Sequence, residues 1–555
     1  MTNGEKVDTI VLRFLFILYI IMKRERKEKQ AWITQAVAGT NRKGWICSRF
    51  LSFLILTGTQ LALYIGVVWA LFYNSALGVG LQAGIEVFSL ITAFCILTKE
   101  GASSMKLAWV FLVAFFPAVG VAAYLLYGDG RATRKMRQRL EESKVQISAW
   151  REKNSPIAPK IPPRKDPTGA YLEREGDSPA YTDGGVTYYA DGAELYAAML
   201  SAVKGAEKFI FVEYFIIQRG KMWDELLKIL LEKAAAGLQI RILYDDFGCI
   251  KTLPAGYDKE LQSLHENLRC LAFNRVTPAL AFRLNYRDHR KMLVVDGKTA
   301  FTGGVNLADE YIGETRRFGY WKDSGVQICG GAAGAFVQEF LWLWNAFAPQ
   351  AEEIGFYLQT DEVGGNNGKR ENREDFFVQP YADSPLDEKK IGIGAYAGLI
   401  QQAQKSLWIF TPYLVLDEYL RGALCHAAMR GVDVRIVTPG IPDKKTVYRL
   451  TRANYPPLLR AGVKIYEYTY GFLHAKSVLC DGEKAIVGTV NFDYRSLYHH
   501  FENAVYFSQR SAIEALERDY TQTFAQSKVC GAEEARGNFF GRLWNGVLKI
   551  FETLL

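Results

Sequence analysis

Histidine is scarce in this chain, with six residues among 555. The eight cysteines are scattered from Cys47 to Cys530, with no C-x-x-C pair and no regular spacing. That scatter argues against a disulfide framework and against a zinc site. No histidine and carboxylate cluster shows metal-ligand spacing, so no metal and no cofactor is expected. The net charge of +8 is modest for the length. It suits an anionic membrane surface and does not call for nucleic acid. The short apolar stretch Thr9–Met22 is not expected to act as a cleaved signal peptide, because it runs into KRERKEK rather than a small-residue cleavage site.

Apolar runs, by contrast, are plentiful near the start. Leu51–Tyr73 and Leu107–Tyr127 carry no charge, and Ser75–Leu97 carries only Glu86. Each is long enough to cross a hydrocarbon core of ~30 Å. Arg42, Lys43 and Arg49 precede this block, and Arg131, Arg134, Lys135, Arg137 and Arg139 follow it. Basic residues on both flanks place both on the cytoplasmic side. Three full spans would separate them, so one run must do something else. The third, interrupted by Pro117 and Gly120, is a candidate in-plane or re-entrant hairpin. Alternatively Glu86 marks the second as the imperfect span. The expected division is a basic N-terminal segment (1–50), a membrane region with two to three spans (51–128) and a linker (129–180). Two globular units follow (181–350 and 375–530), joined by a polar linker (351–374), and the chain closes with an amphipathic helix (531–555). In that last segment Phe540, Trp544, Val547, Leu548 and Phe551 share one helical face, fit either for the lipid interface or for docking on the protein.

Four of the six histidines fall in or just after a repeated pattern. HRKMLVVDGKTAFTGGVN (289–306) and HAKSVLCDGEKAIVGTVN (474–491) agree at eight of eighteen positions without a gap. Both contain H-x-K-x4-D and end in G-x-V-N. The repeat extends outward. VTYYAD (186–191) matches VQPYAD (378–383), and KFIFVEYFII (208–217) matches SLWIFTPYLV (406–415) as buried strands. LLEKAAAGLQIRILYDD (230–246) matches ALCHAAMRGVDVRIVTP (423–439) as helix, glycine stop and strand. Alternating helices and nearly continuous apolar strands predict two similar α/β domains.

In H-x-K on a strand, both side chains reach one face. His289 and Lys291, joined by His474 and Lys476, would surround a phosphodiester with donors, and Asn306 and Asn491 would add amides. Two histidines supply a nucleophile and a separate acid/base. Each half has one, so the catalytic unit must be the two halves facing each other. Asp296 and Asp481, completing the motifs, either belong to the catalytic set or fix the strand-end turn. Asp323 and Glu502 lie in equivalent places further on. They either hold the imidazoles in the right tautomer or form plain salt bridges. His265 and His426 read as packing or surface groups. His499 and His500 follow the second motif closely enough to line the site, without a catalytic assignment.

The paired motifs, together with KLAWVFLVAFFPAVGVAAYLLYG (106–128), TPYLVLDEYL (411–420) and GTVNFDYRSLYHHFE (488–502), resemble the phospholipase D superfamily and, within it, the bacterial cardiolipin synthases. The resemblance runs from about residue 50 to the C-terminus. The basic first 50 residues and the run with Glu86 depart from it. It implies a phosphatidyltransferase of the bacterial cell membrane; the apolar runs and their basic flanks give the expected multi-pass anchor and cytoplasmic catalytic domains. The substrates would be two phosphatidylglycerols, giving cardiolipin and glycerol. His289 would attack phosphorus, and His474 would protonate the departing glycerol, then deprotonate the second lipid's hydroxyl. A phospholipase D-type hydrolase, or a transferase using another lipid or alcohol acceptor, would need the same residues.

Overall fold

The computed structural model describes residues 76–99, 103–128, 134–154, 166–276, 285–358 and 376–531, with scattered residues of 58–69 and 545–553. The expected N-terminal segment, most of the first apolar run, and much of both linkers and of the closing helix lie outside the described residues.

Two mixed sheets dominate. The first has seven strands: β1 (Gly185–Tyr189), β2 (Phe209–Tyr214), β3 (Gln239–Asp245), β4 (Leu268–Phe273), β5 (Lys291–Val295), β6 (Thr299–Gly303) and β7 (Gly325–Cys329). Their spatial order is β1-β7-β6-β5-β2-β3-β4. The second comprises β8 (Val378–Asp383), β9 (Ser406–Phe410), β10 (Asp433–Pro439), β11 (Lys464–Tyr468), β12 (Ser477–Cys480), β13 (Lys484–Gly488), β14 (His500–Phe507) and β15 (Ser527–Val529). Its order, β8-β14-β13-β12-β9-β10-β11-β15, repeats the first with one strand added at the edge.

Local sequence explains the repeat. Helix Lys221–Ala235 buries Met222, Trp223, Leu226, Leu227, Leu230, Leu231 and Ala234, a helical spacing of apolar groups. It ends before Gly237, whose φ of 100° few other residues tolerate. β3 follows directly. Helix Glu418–Met429 is capped by Asp417, which accepts from the Leu420 amide at 2.8 Å. It stops before Gly431 at φ 93°, and β10 follows. β2 is buried along its whole length, as a strand covered on both faces must be.

The two sheets share one core. Phe211, Val294 and Phe340 of the first half meet Val487, Val505 and Tyr520 of the second in a single cluster. Each half has a further core of its own on the outer side. The seam between them is also stitched by backbone. Arg287–Asp288 pairs in parallel with His500–Phe501, and Gly471–Leu473 pairs in parallel with Tyr320–Lys322. The segment just before each H-x-K motif is thus a strand in the other half's ladder.

Among the described residues no helix is long and apolar enough to cross a membrane. The run Leu107–Tyr127, expected as a span or hairpin, is broken into Ser103–Phe115, Pro117–Ala123 and Tyr124–Gly128. Proline restricts Phe116 to φ −131° and ψ 69°. The chain then folds back so tightly that a Cβ on Gly120 would lie 2.3 Å from the Leu112 carbonyl oxygen. Helix Ala76–Thr98 packs here, with Ser89 Oγ donating to the Val113 carbonyl at 2.8 Å. Leu90, Phe94, Leu97, Leu107 and Phe115 stay more than half exposed, an apolar surface with few protein partners.

Candidate active site

The four motif side chains converge at the seam. His289 is delivered by the Arg287–Asp288 ladder, and its amide donates to the Phe501 carbonyl at 2.9 Å. His474 is delivered by Gly471–Leu473, and its amide donates to the Lys322 carbonyl at 2.7 Å. The residue after each acceptor is a carboxylate. His289 Nδ1 therefore lies 2.9 and 3.0 Å from the two oxygens of Glu502. His474 Nδ1 lies 2.7 Å from Asp323 Oδ2. The pairing is crossed: each half orients the other half's histidine. Two parallel ladders across the seam make this unavoidable, since register fixes which side chains face each other.

A carboxylate can only accept, so each Nδ1 carries the proton and each Nε2 keeps its lone pair. Lys476 Nζ also lies 2.8 Å from His474 Nδ1. That contact cannot be a hydrogen bond in the tautomer Asp323 selects, and it marks how near the ammonium sits. Both lysines also donate to the carbonyl of the histidine two residues back, so their ammonium groups are held at the motif. Thr489 Oγ1 donates to Glu502, pinning the carboxylate that holds His289.

All four groups are buried: the histidines are 7 % exposed and the lysines 1 %. Burial, with Lys291 and His500 next, pushes His289 well below the usual imidazole range. Burial and Lys476 take His474 down to about 4, against the opposing pull of Asp323. Burial brings Lys291 down to about 8 and Lys476 to about 7. It pushes Glu502 up, despite Lys291. Both lysines act on both histidines, which only a shared site allows. A cluster of positive groups held in low dielectric is made to receive an anion.

The motif aspartates do not join them. Asp296 accepts the amides of Glu207, Lys208 and Phe209 at 2.8 Å each. Asp481 accepts those of Gln404, Lys405 and Ser406 at 2.7 to 3.2 Å. Both have φ near 55° and open the turns to β6 and β13. Five residues of strand, ~16 Å, separate each from its lysine. Of the two readings offered for them, these contacts favour the structural one, in which each ties a turn to a neighbouring strand. Asn306 is also committed to protein, accepting from the Ile216 amide at 3.1 Å and donating to Tyr311 at 2.7 Å. Asn491 differs. Its Nδ2 donates to Asp493 at 3.0 Å, while its Oδ1 is buried without a hydrogen bond.

A cavity of about 290 Å³ opens beside His289. Phe215, Phe247 and Tyr413 give it aromatic walls, and Arg287, Lys444 and Arg495 line it with positive charge. His500 lines it as well. Its ring centroid is 5.2 Å from that of His289, and its Nδ1 is 3.7 Å from Glu502 Oε1. The string YHHFE was the only sign of this third imidazole, and linear spacing gave no reason to choose it over His499. Nor does spacing reveal that His289, His500 and Glu502 bring one ligand atom each within 4.8 Å. The sequence had offered no such cluster. Arg495 and Lys291 bear on His500, and the Glu502 oxygens already serve His289 and Thr489, so this donor set suits an imidazole pair better than a resident cation. His265 accepts the Asn267 amide at 3.1 Å, and His426 is exposed on its helix; neither enters the site.

Comparison with known proteins gives the family. The family described as "Cardiolipin synthase, PLD-like domain" matches residues 396–524, and "Phospholipase_D-nuclease N-terminal" matches residues 87–128. A cardiolipin synthase of Alkalihalophilus pseudofirmus is 32% identical over 486 residues, covering 86% of this chain and 94% of that protein. One from Geobacillus kaustophilus is 31% identical over 516 residues, covering 92% and 99%. The crystal structure of the phosphatidylserine synthase of Haemophilus influenzae superposes with a TM-score of 0.53 at 16% identity. It covers 70% of this chain and 100% of that one, a likeness of fold. The chain belongs to the cardiolipin synthase family of phospholipase D-like proteins.

Proposed function

We propose that the protein transfers a phosphatidyl group from one phosphatidylglycerol to another, releasing glycerol and forming cardiolipin. The observation that carries this reading is the crossed pair of oriented histidines with two buried lysines at one seam. His289 Nε2 attacks phosphorus while Glu502 takes up the developing positive charge through Nδ1–H. The P–O bond to glycerol breaks, and His474 delivers a proton to the leaving oxygen. Burial and Lys476 hold His474 down; the phosphodiester's own negative charge, between the lysines, raises it toward the range where it can donate. The second lipid's hydroxyl then gives its proton to His474, attacks phosphorus and breaks the P–N bond, which restores His289. One phosphodiester replaces another, so no nucleotide is needed.

The apolar surface of Leu90, Phe94, Leu97, Leu107 and Phe115 supports attachment to a bacterial membrane. The basic helix Arg134–Asn154 that follows supports a cytoplasmic catalytic part, drawn to the anionic leaflet at ~1 kcal/mol per residue near the surface. Lipid analysis of cells that lack any other synthase and express this chain tests the activity. Cardiolipin should appear, and purified enzyme in neutral-detergent micelles should keep making it with a chelator present. Phosphatidic acid as the sole product would instead mean a hydrolase.

A further inference from the structure

The cavity beside His289 is lined by a residue from the far end of the chain, Glu552. Its backbone neighbourhood is docked on the second half at separate points. Leu548 packs against Val415, Leu450 and Tyr494. Asn545 Oδ1 accepts from Arg449 Nε at 3.1 Å. Thr553 is 1 % exposed. Glu552 is therefore held in the cavity wall.

Among the described residues, three buried polar atoms around this one cavity have no hydrogen-bond partner: Glu552 Oε2, Asn491 Oδ1 and His500 Nδ1. Buried groups of this kind are rare and call for an explanation. The carboxylate and amide oxygens can only accept, so what completes them must donate. A phosphate or an acyl chain has no proton to give, whereas a headgroup bearing hydroxyls has. Lys444 and Arg495, on the same wall, suit the phosphate to which such a headgroup is attached.

We infer that Glu552, with Asn491, forms a subsite for the hydroxyls of a glycerol headgroup. Glu552 is a specificity-determining residue that favours a lipid hydroxyl over water as acceptor. This rests on the transferase reading above and adds a residue contributed by the C-terminal segment. The subsite matters most in the second step. Water reaching the phosphatidyl-histidine needs no recognition, whereas a second phosphatidylglycerol must be held with its hydroxyl in line.

The test is the partition between products, measured on the full-length enzyme in detergent micelles with labelled phosphatidylglycerol. Glu552→Ala should lower the ratio of cardiolipin to phosphatidic acid by about tenfold and raise KM for phosphatidylglycerol, as expected for loss of one buried acceptor. Glu552→Gln keeps a carbonyl acceptor and should retain most of the ratio. An alanine variant with the wild-type ratio would overturn the inference. So would one that loses both products equally, since that marks a structural role, and so would a glutamine variant that falls as far as the alanine. Wild-type enzyme that made only phosphatidic acid would instead sink the transferase reading, a separate outcome.

Discussion

The two halves carry the same motif in the same sheet order, yet their histidines sit in different surroundings. His289 faces both oxygens of a glutamate and borders a polar cavity with Arg287, Arg495 and His500. His474 faces one oxygen of the shorter aspartate. Aromatic rings wall it in: Trp321, Tyr311 and Phe472 lie 5.5, 5.6 and 5.8 Å from it between centroids. The residue between histidine and lysine differs too. Arg290 is fully buried, 2.6 Å from Glu213 and 3.2 Å from Asp288, whereas Ala475 lies in the shared core. Duplication supplied two equivalent scaffolds, and divergence of the neighbours set one histidine beside a cavity lined with positive charge and the other among aromatic rings, with both equally buried. That asymmetry fits the separate roles proposed above for the two copies of one motif.

The sharpest way to break the comparison is to remove each histidine in turn. His289→Ala should lose cardiolipin synthesis by ~10⁴-fold or more, and His474→Ala by ~10²–10⁴-fold. With labelled substrate, only the His474→Ala enzyme should hold covalent label after acid-free denaturation. Label on the His289→Ala protein would reverse the roles.

Next come the crossed carboxylates. Glu502→Gln and Asp323→Asn keep shape but remove the charge that selects the Nδ1–H tautomer, and each should cost ~10²–10⁴-fold in kcat. Glu502→Gln should slow formation of the covalent intermediate, which belongs to the other half's histidine. A defect confined to the second step would mean that the crossing has no functional consequence.

A smaller effect is expected from pH. Lys476 titrates at about 7 and Lys291 at about 8, mainly because burial disfavours their charge. Raising pH through that window removes protons and the positive field, so kcat/KM should fall by about tenfold per unit once one lysine is neutral. The limb in kcat should lie higher, because a bound phosphodiester stabilises both ammonium groups. A flat profile to pH 9 would mean that the lysines keep their charge.

The least effect on chemistry should come from the motif aspartates. Asp296→Asn or Asp481→Asn weakens three amide contacts at a turn and should lower stability by ~1–3 kcal/mol, read as a drop in Tm. Activity of the folded fraction should stay within severalfold. A loss comparable to that of His474→Ala would return these aspartates to the catalytic set.

Much of this was legible in the sequence because it is local. Gly237 and Gly431 mark helix ends before β3 and β10, and the apolar runs mark strands covered on both faces. The two H-x-K motifs put just two histidines and two lysines in repeated frames, so a shared site could be inferred without coordinates. The membrane block was harder, since hydropathy counts residues and does not see a chain fold back at Pro117 and Gly120.

The sequence by itself determined the duplication, the two α/β halves, and the need for two histidines and two lysines in one place. Those follow from side-chain chemistry and from periodicity along the chain. Only the tertiary structure decided that Glu502 pairs with His289 and Asp323 with His474, that Asp296 and Asp481 accept backbone amides at their turns, and that His500 and Glu552 border the cavity. Strand ladders across the seam set those pairings, because partner register is a relation between segments 151 and 213 residues apart and leaves no spacing in the linear chain.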